Sequence, residues 1–250
     1  MNTLNRKQRE RLEREQHILD TAQTIITNEG LSCLTMERIA AAIEYSKGTV
    51  YSHFSCKEDI IGGISCRCMT RLIGMFERAS NWPGSHRERI AAIGLAHTLY
   101  SLLYPQELQN MMQTMKTPVI RQKISAEKQN EILKLEQHIT DIVLDIIRDA
   151  MRDGDIPTNE QHVPAGIMLG LWSMGYGSQL LHLTDVPFEQ LGLSAPLNMF
   201  WINSHKLLDS YNWQPLSSSF DIQTLRQTLL SSLFADEINQ LNNPRPGEIT

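Results

Sequence analysis

Ser46, Lys47, Thr49, Tyr51 and His53 crowd hydroxyl, ammonium and imidazole groups into one short stretch, with Gly48 in their midst. Donors at that density suit an acceptor-rich partner, such as phosphate oxygens and the edges of bases. On a helical wheel Val50 and Phe54 share one face, and Gly48 and Ser52 point the opposite way. Thr49 and Tyr51 flank that outer side, while Lys47 and His53 fall nearer the core boundary. A small centre lets a helix backbone come close to another surface. Gly, Ser and β-branched residues are poor helix formers, so a helix over Ser46–Phe54 must draw its stability from its neighbours.

Other chemistries have weaker support. The four cysteines, Cys33, Cys56, Cys66 and Cys68, all lie in the first third of the chain, and we expect reduced thiols. Cys66 and Cys68 are two apart and would point to different sides of a helix, which does not favour a shared metal. Neither HExxH, GxSxG nor a P-loop occurs, and Asp141, Asp145 and Asp149 read as a solvated stripe. We therefore expect no enzyme, no cofactor and no metal. The longest near-apolar run, VPAGIMLGLWSMGYG, carries Pro and four Gly and falls short of the roughly 20 residues of a membrane helix. The opening MNTLNRKQRERL has no apolar segment of the signal-peptide kind. A cytoplasmic protein without membrane contact is expected.

The elements that must position the donors are helical. Hydrophobic content of 41% and charged content of 20% fit an ordinary globular chain. Ile18, Leu19, Ala22, Ile25 and Ile26 form an amphipathic stripe ended by Gly30. Thr35 caps a second helix that buries Ile39 and Ile43. After the break Glu44-Tyr45 comes Ser46–Phe54. A capped helix, a tight break and a second short helix make a helix-turn-helix. A Glu in a left-handed turn at that break costs about 1 kcal/mol. Downstream we expect helices over 58–79, 85–104, 106–116, 119–152, 160–183, 196–213 and 220–240.

TMERIAAAIEYSKGTVYSHFSCKEDII resembles the N-terminal domain of the tetracycline-repressor (TetR) family. SKGTVYSHFSCKEDI carries most of the likeness, and ILDTAQTIITNEGLSCLTMERIA supports it upstream; together they cover roughly residues 15–62. The resemblance implies an all-α protein. An N-terminal three-helix DNA-binding domain (1–56) would precede a larger helical ligand-binding and dimerisation domain (57–240) and a polar tail (241–250). It also implies that Thr35, Ser46, Lys47, Gly48, Thr49, Tyr51, His53 and Lys57 meet a double-stranded DNA operator. Of these, Lys47 and Thr49 are our choices for base edges, and Tyr51, His53 and Lys57 for phosphates. The family's usual Gly and small apolar residue in the break are here Glu44-Tyr45.

Two recognition helices are needed to select one site, and the resemblance implies a homodimer through the last helices, here 160–183, 196–213 and 220–240. The resemblance further implies a small-molecule effector, unidentified by the sequence, that would bind among His97, Tyr100, Tyr104, Met111, Met112, Met115, Trp172 and Tyr176 and release the repressor from its operator. Met and aromatic residues at helical spacing are more often packed core than pocket lining. The basic residues Arg6, Lys7, Arg9 and Arg11 read either as a DNA-contacting arm or, with Glu10, Glu13 and Glu15, as a solvated extension of the first helix. Net charge is −5, but residues 1–57 hold eight Lys/Arg against seven Asp/Glu, so the acidic excess lies later in the chain. An all-α sensor or scaffold without DNA binding, or an all-α enzyme, are the alternatives.

Overall fold

The computed structural model describes residues 5–116, 118–158 and 164–243, apart from the side chains of 110, 111, 113–116, 118 and 119. Among the described residues the regular structure is all helical, as expected. The helices are α1 (Arg6–Glu29), α2 (Met36–Ala42), α3 (Lys47–Tyr51), α4 (Lys57–Ser80), α5 (His86–Leu103), α6 (Pro105–Lys116) and α7 (Pro118–Lys123), followed by α8 (Ala126–Arg152), α9 (Pro164–His182), α10 (Pro196–Ser210), α11 (Ile222–Thr228) and α12 (Ala235–Asn242). Among the described residues no helix is long and apolar enough to cross a membrane. The chain divides into two compact units: residues 1–70 with 106–135, and residues 71–105 with 136–250. Most of the expected polar tail, 244–250, lies outside the described residues.

In the first unit, Ile18, Leu19, Ala22, Ile25 and Ile26 of α1 are buried, as their spacing predicts. They join Leu34, Met36, Ile39, Ile43, Val50, Phe54, Ile60, Ile61 and Ile64. Gly30 closes α1 at φ +86°, a conformation costly for any residue with a Cβ. Gly62 and Gly63 do not break α4. A Cβ on Gly63 would stand 2.9 Å from Leu19 and 3.1 Å from the Phe54 ring, so its absence is what lets α4 seat against both.

The single helix expected over 119–152 is interrupted at Ile124-Ser125. Ile124 is buried, and the Ser125 amide donates to the Asp59 carboxylate at 2.6 Å instead of continuing a helix. A tertiary contact overrides local propensity here.

In the second unit, α5 begins with a capping box of Ser85 and Glu88. Gly170 and Gly175 of α9 lie against Leu207 and Phe200 of α10, with closest approaches of 3.2 and 3.3 Å to their projected Cβ positions. Arg87 is fully buried; its guanidinium donates to the Trp213 and His205 carbonyls and to Asp209. The helix expected over 220–240 contains a π turn at Leu229–Leu233. The Phe234 amide bonds the Leu229 carbonyl five residues back, which brings Phe234 onto the buried side already occupied by Leu225 and Leu229.

Burial pushes the pKa of His97 down to about 4 and does the same to His205, which also faces the Arg87 charge. An unfolded histidine titrates near 6.5. Between those values the unfolded chain binds more protons, so stability is full above pH 6.5 and falls as pH drops towards 4. His205→Phe should flatten part of that fall, worth up to about 3 kcal/mol for one ring. Urea midpoints at several pH values check this: curves that run parallel for the two proteins rule it out.

Candidate nucleic-acid interface

Thr35 caps α2, accepting from the Arg38 amide at 3.2 Å. At the other end α2 closes as a Schellman turn. The Tyr45 amide bonds the Ala40 carbonyl, the Glu44 amide bonds the Ala41 carbonyl, and Glu44 sits at φ +55°. The left-handed Glu44 anticipated from the sequence is therefore present. Tyr45 stacks edge-on to His17 of α1, which fixes the direction in which the chain leaves the turn.

The recognition segment is shorter than expected: α3 runs only from Lys47 to Tyr51, with Ser52 and His53 in a turn. Ser46 caps it by accepting from the Thr49 amide at 3.1 Å, and its hydroxyl lies 2.8 Å from the Thr49 hydroxyl. Val50 is completely buried and Phe54 nearly so. Ser46, Lys47, Gly48, Tyr51 and Ser52 are exposed, while Thr49 and His53 are half-buried. The wheel thus misplaced Lys47, whereas the half-buried Thr49 fits a flanking position. Lys47 at the first turn swings outward to Glu37 of α2, at 3.1 Å, and Thr49 is drawn in by Ser46. Donation from its own backbone amide and from Lys47 holds the Glu37 carboxyl below its ordinary range.

A Cβ on Gly48 would meet nothing closer than the Ser46 hydroxyl at 3.7 Å. The fold itself has no need of glycine there, so the bare centre of the exposed flank is a property of the surface and not of the packing. His53 is kept below its ordinary pKa by burial first and by Arg11 and Arg14 of α1 as well, with Glu15 acting the other way.

Lys57 opens α4, half-buried. Two residues on, Asp59 is buried and accepts from the Ser55 amide and hydroxyl and the Ser125 amide. Burial pushes its carboxyl up, but this donation outweighs it and holds it below the usual range. Neither Glu37 nor Asp59 was singled out from the sequence. An acid ten residues before the recognition lysine gives no local signal, whereas the acid in the first turn of α4 is a recognisable capping position. The basic N-terminal stretch is helical and exposed, the form of a helix extension and not of an extended arm.

The effector candidates are scattered. His97 accepts from the Gln179 amide at 3.0 Å and stands edge-on to Phe76. Tyr100 is buried, 5.3 Å from the Tyr104 ring, over which Arg71 lies at 4.2 Å. Trp172 is 49% exposed on α9 and Tyr176 is half-buried. Met112 is buried, and Met111 and Met115 lie outside the described side chains. An open groove of about 420 Å³ along α11, lined by Asp221, Gln223, Thr224, Gln227, Thr228 and Ser231, includes none of these residues.

Residues 18–64 match the family model of the bacterial regulatory proteins of the tetR family. The resemblance read from SKGTVYSHFSCKEDI thus holds for the N-terminal domain. The whole fold is that of solved tetR-family proteins. A bacterial regulatory protein of the tetR family from Rhodococcus RHA1 aligns with a TM-score of 0.61 at 16% identity, over 80% of this chain and 97% of that one. The TetR-family transcriptional regulator PfmR from Thermus thermophilus gives 0.58 at 20%, over 77% and 97%. A TetR/AcrR-family regulator from Thermobifida fusca gives 0.59 at 20%, over 80% and 98%. No curated protein matches the chain by sequence.

Glu44→Gly should stabilise the first unit by about 0.5–1 kcal/mol, because glycine adopts the left-handed turn without the Cβ penalty. Denaturant unfolding measures it, and an unchanged or lowered midpoint would show that Glu44 makes a compensating interaction.

Proposed function

We propose that the chain is a homodimeric, cytoplasmic transcriptional repressor that holds double-stranded operator DNA through α3 and its flanks and lets go when a small-molecule effector binds. The observation that carries the reading is the exposed side of α3, where Gly48 leaves the backbone bare for no reason of packing, ringed by Ser46, Lys47 and Tyr51. A helix so presented fits the major groove, where base edges offer a distinct pattern of acceptors and donors. In this reading Lys47 leaves Glu37 for a base edge, and Thr49 reaches a second. Tyr51, Lys57 and the Thr35 hydroxyl take phosphates. His53, kept neutral by its burial, donates to one from a ring N–H.

Dimerisation is supported by α9. Leu169, Trp172, Tyr176 and Leu180 lie along one helical line, and Leu169, Trp172 and Leu180 are 37–57% exposed. Exposed apolar surface of that kind marks an association site. A twofold dimer would space two α3 helices about 34–36 Å apart, one helical repeat of DNA. In this reading the domain boundary falls near residue 56, and the effector acts by binding one dimer spacing better than the other. His97, Tyr100, Tyr104, Met111 and Met115 remain the candidates for its site, while Trp172 and Tyr176 fall on the exposed line of α9 assigned to the dimer. Asp59 supports the coupling, because one carboxylate joins Ser55, just after the recognition segment, to Ser125 at the start of α8.

Gly48→Ala should raise thermal stability slightly, since alanine is the better helix former by about 0.5–1 kcal/mol, yet weaken operator binding. Lys47→Ala and Thr49→Ala should each cost about 1–3 kcal/mol of specific binding with the fold intact. Tyr51→Phe should weaken binding nearly uniformly across sequences. Footprinting and titration on genomic fragments selected by the protein test all four; full operator affinity in the Gly48, Lys47 and Thr49 variants would remove α3 from the groove. Leu169→Glu with Trp172→Glu should yield monomers in sedimentation. A dimer that survives both charges lies on another face.

A further inference from the structure

α1 begins a dozen residues before its first buried side chain. Arg6 to His17 stand clear of the core except for the half-buried Glu10 and Glu15, and burial starts at Ile18. At 1.5 Å per residue that is about 18 Å of helix beyond the packed unit. Its start is defined by Asn5 and Gln8, which cap one another across the first turn. The stretch also lies upstream of residues 18–64, the part of the chain that matches the family.

The helical register sorts its charges. The buried line Ile18, Ala22 and Ile25 continues upstream through Arg14, Arg11 and Lys7, four, seven and eleven residues before Ile18. The same line that faces the helix-turn-helix core therefore becomes cationic where the core ends. Two acids stand beside it: Glu10 pairs with Arg6 at 2.8 Å on an adjacent line, and the half-buried Glu15 lies near Lys128, which is itself paired with Glu131. Arg6 and Arg9 sit on the flank shared with Glu10 and Glu13. Arg11 and Arg14 lower the pKa of the His53 ring while Glu15 raises it, so this part of the helix lies close to the recognition segment.

We infer that Lys7, Arg11 and Arg14 form a second DNA-binding element, a rigid helical stripe that meets phosphates flanking the stretch engaged by α3. The inference rests on the DNA-binding reading above and assigns the contact to residues outside the helix-turn-helix. A preformed helix presents the three cations without an ordering cost, and they bind backbone irrespective of sequence.

Phosphate contact can be read without knowing the operator. The full chain is titrated against a random-sequence duplex of about 40 base pairs over a range of salt, because this component of binding is independent of sequence. Arg11→Gln/Arg14→Gln should lower the slope of log affinity against log salt by about 2 per protomer. Arg6→Gln/Arg9→Gln removes the same charge from the other flank and should lower it clearly less. Helix content by circular dichroism should be unchanged in both, since all four side chains are exposed. Equal falls in the two variants, or no fall in the first, overturn the stripe while leaving the α3 reading intact provided Lys47→Ala still loses affinity. No duplex binding by the unmodified chain overturns both.

Discussion

Burial of Val50 and Phe54 is the constraint from which the interface follows. Five residues cannot hold a helix in water, because nucleation alone outweighs the one or two hydrogen bonds they make. α3 exists because those two side chains are seated in the first unit and because Ser46 closes its first turn. Gly63, having no side chain, leaves the Phe54 ring the room it occupies. The consequence is a division of labour within one short segment. Its inner face carries most of the stability, so its outer face, the Ser46 cap apart, has little folding duty and can be small and polar.

Much of this is legible in the sequence because it is local. The stripe of α1, the Gly30 stop, the caps at Thr35 and Ser46, and the strained Glu44 all depend on residues within one or two turns of each other. The misplacements have a common cause as well. The break at Ile124-Ser125 comes from a carboxylate sixty-six residues away, and the π turn before Phe234 from the need to put three apolar residues on one side. The wheel of α3 erred at Lys47 because it assumed nine helical residues, and because Glu37 draws that side chain outward. Where only distant partners decide, periodicity alone has nothing to report.

The second unit places its polar groups differently. Arg87 is removed from water altogether and uses its fork to gather two carbonyls and the Asp209 carboxylate, which in turn accepts from Ser217. Such a cluster contributes less net stability than an apolar core of the same volume, but it tolerates only one arrangement of its partners. It therefore defines how the segment after α10 meets the start of α5. His97 and Gln179 do the same for α5 and α9, with the imidazole held neutral so that it can accept the amide hydrogen. On the exposed side of α3 the Lys47–Glu37 pair is by contrast solvated and easily exchanged.

An acidic chain that binds DNA needs its charges arranged and not merely counted. At physiological salt a charge acts over about 8 Å, so a phosphate at α3 would respond to the groups close to it and not to the net charge of −5. In the proposed complex the phosphate would meet the near field of Lys47, Lys57 and the stripe ending at Arg14. The acidic remainder acts at longer range and lower salt, where it opposes loose, sequence-blind association. A modest local positive charge on an acidic body thus makes binding depend on several contacts at once. That is the condition under which a five-residue helix can govern where the protein stays.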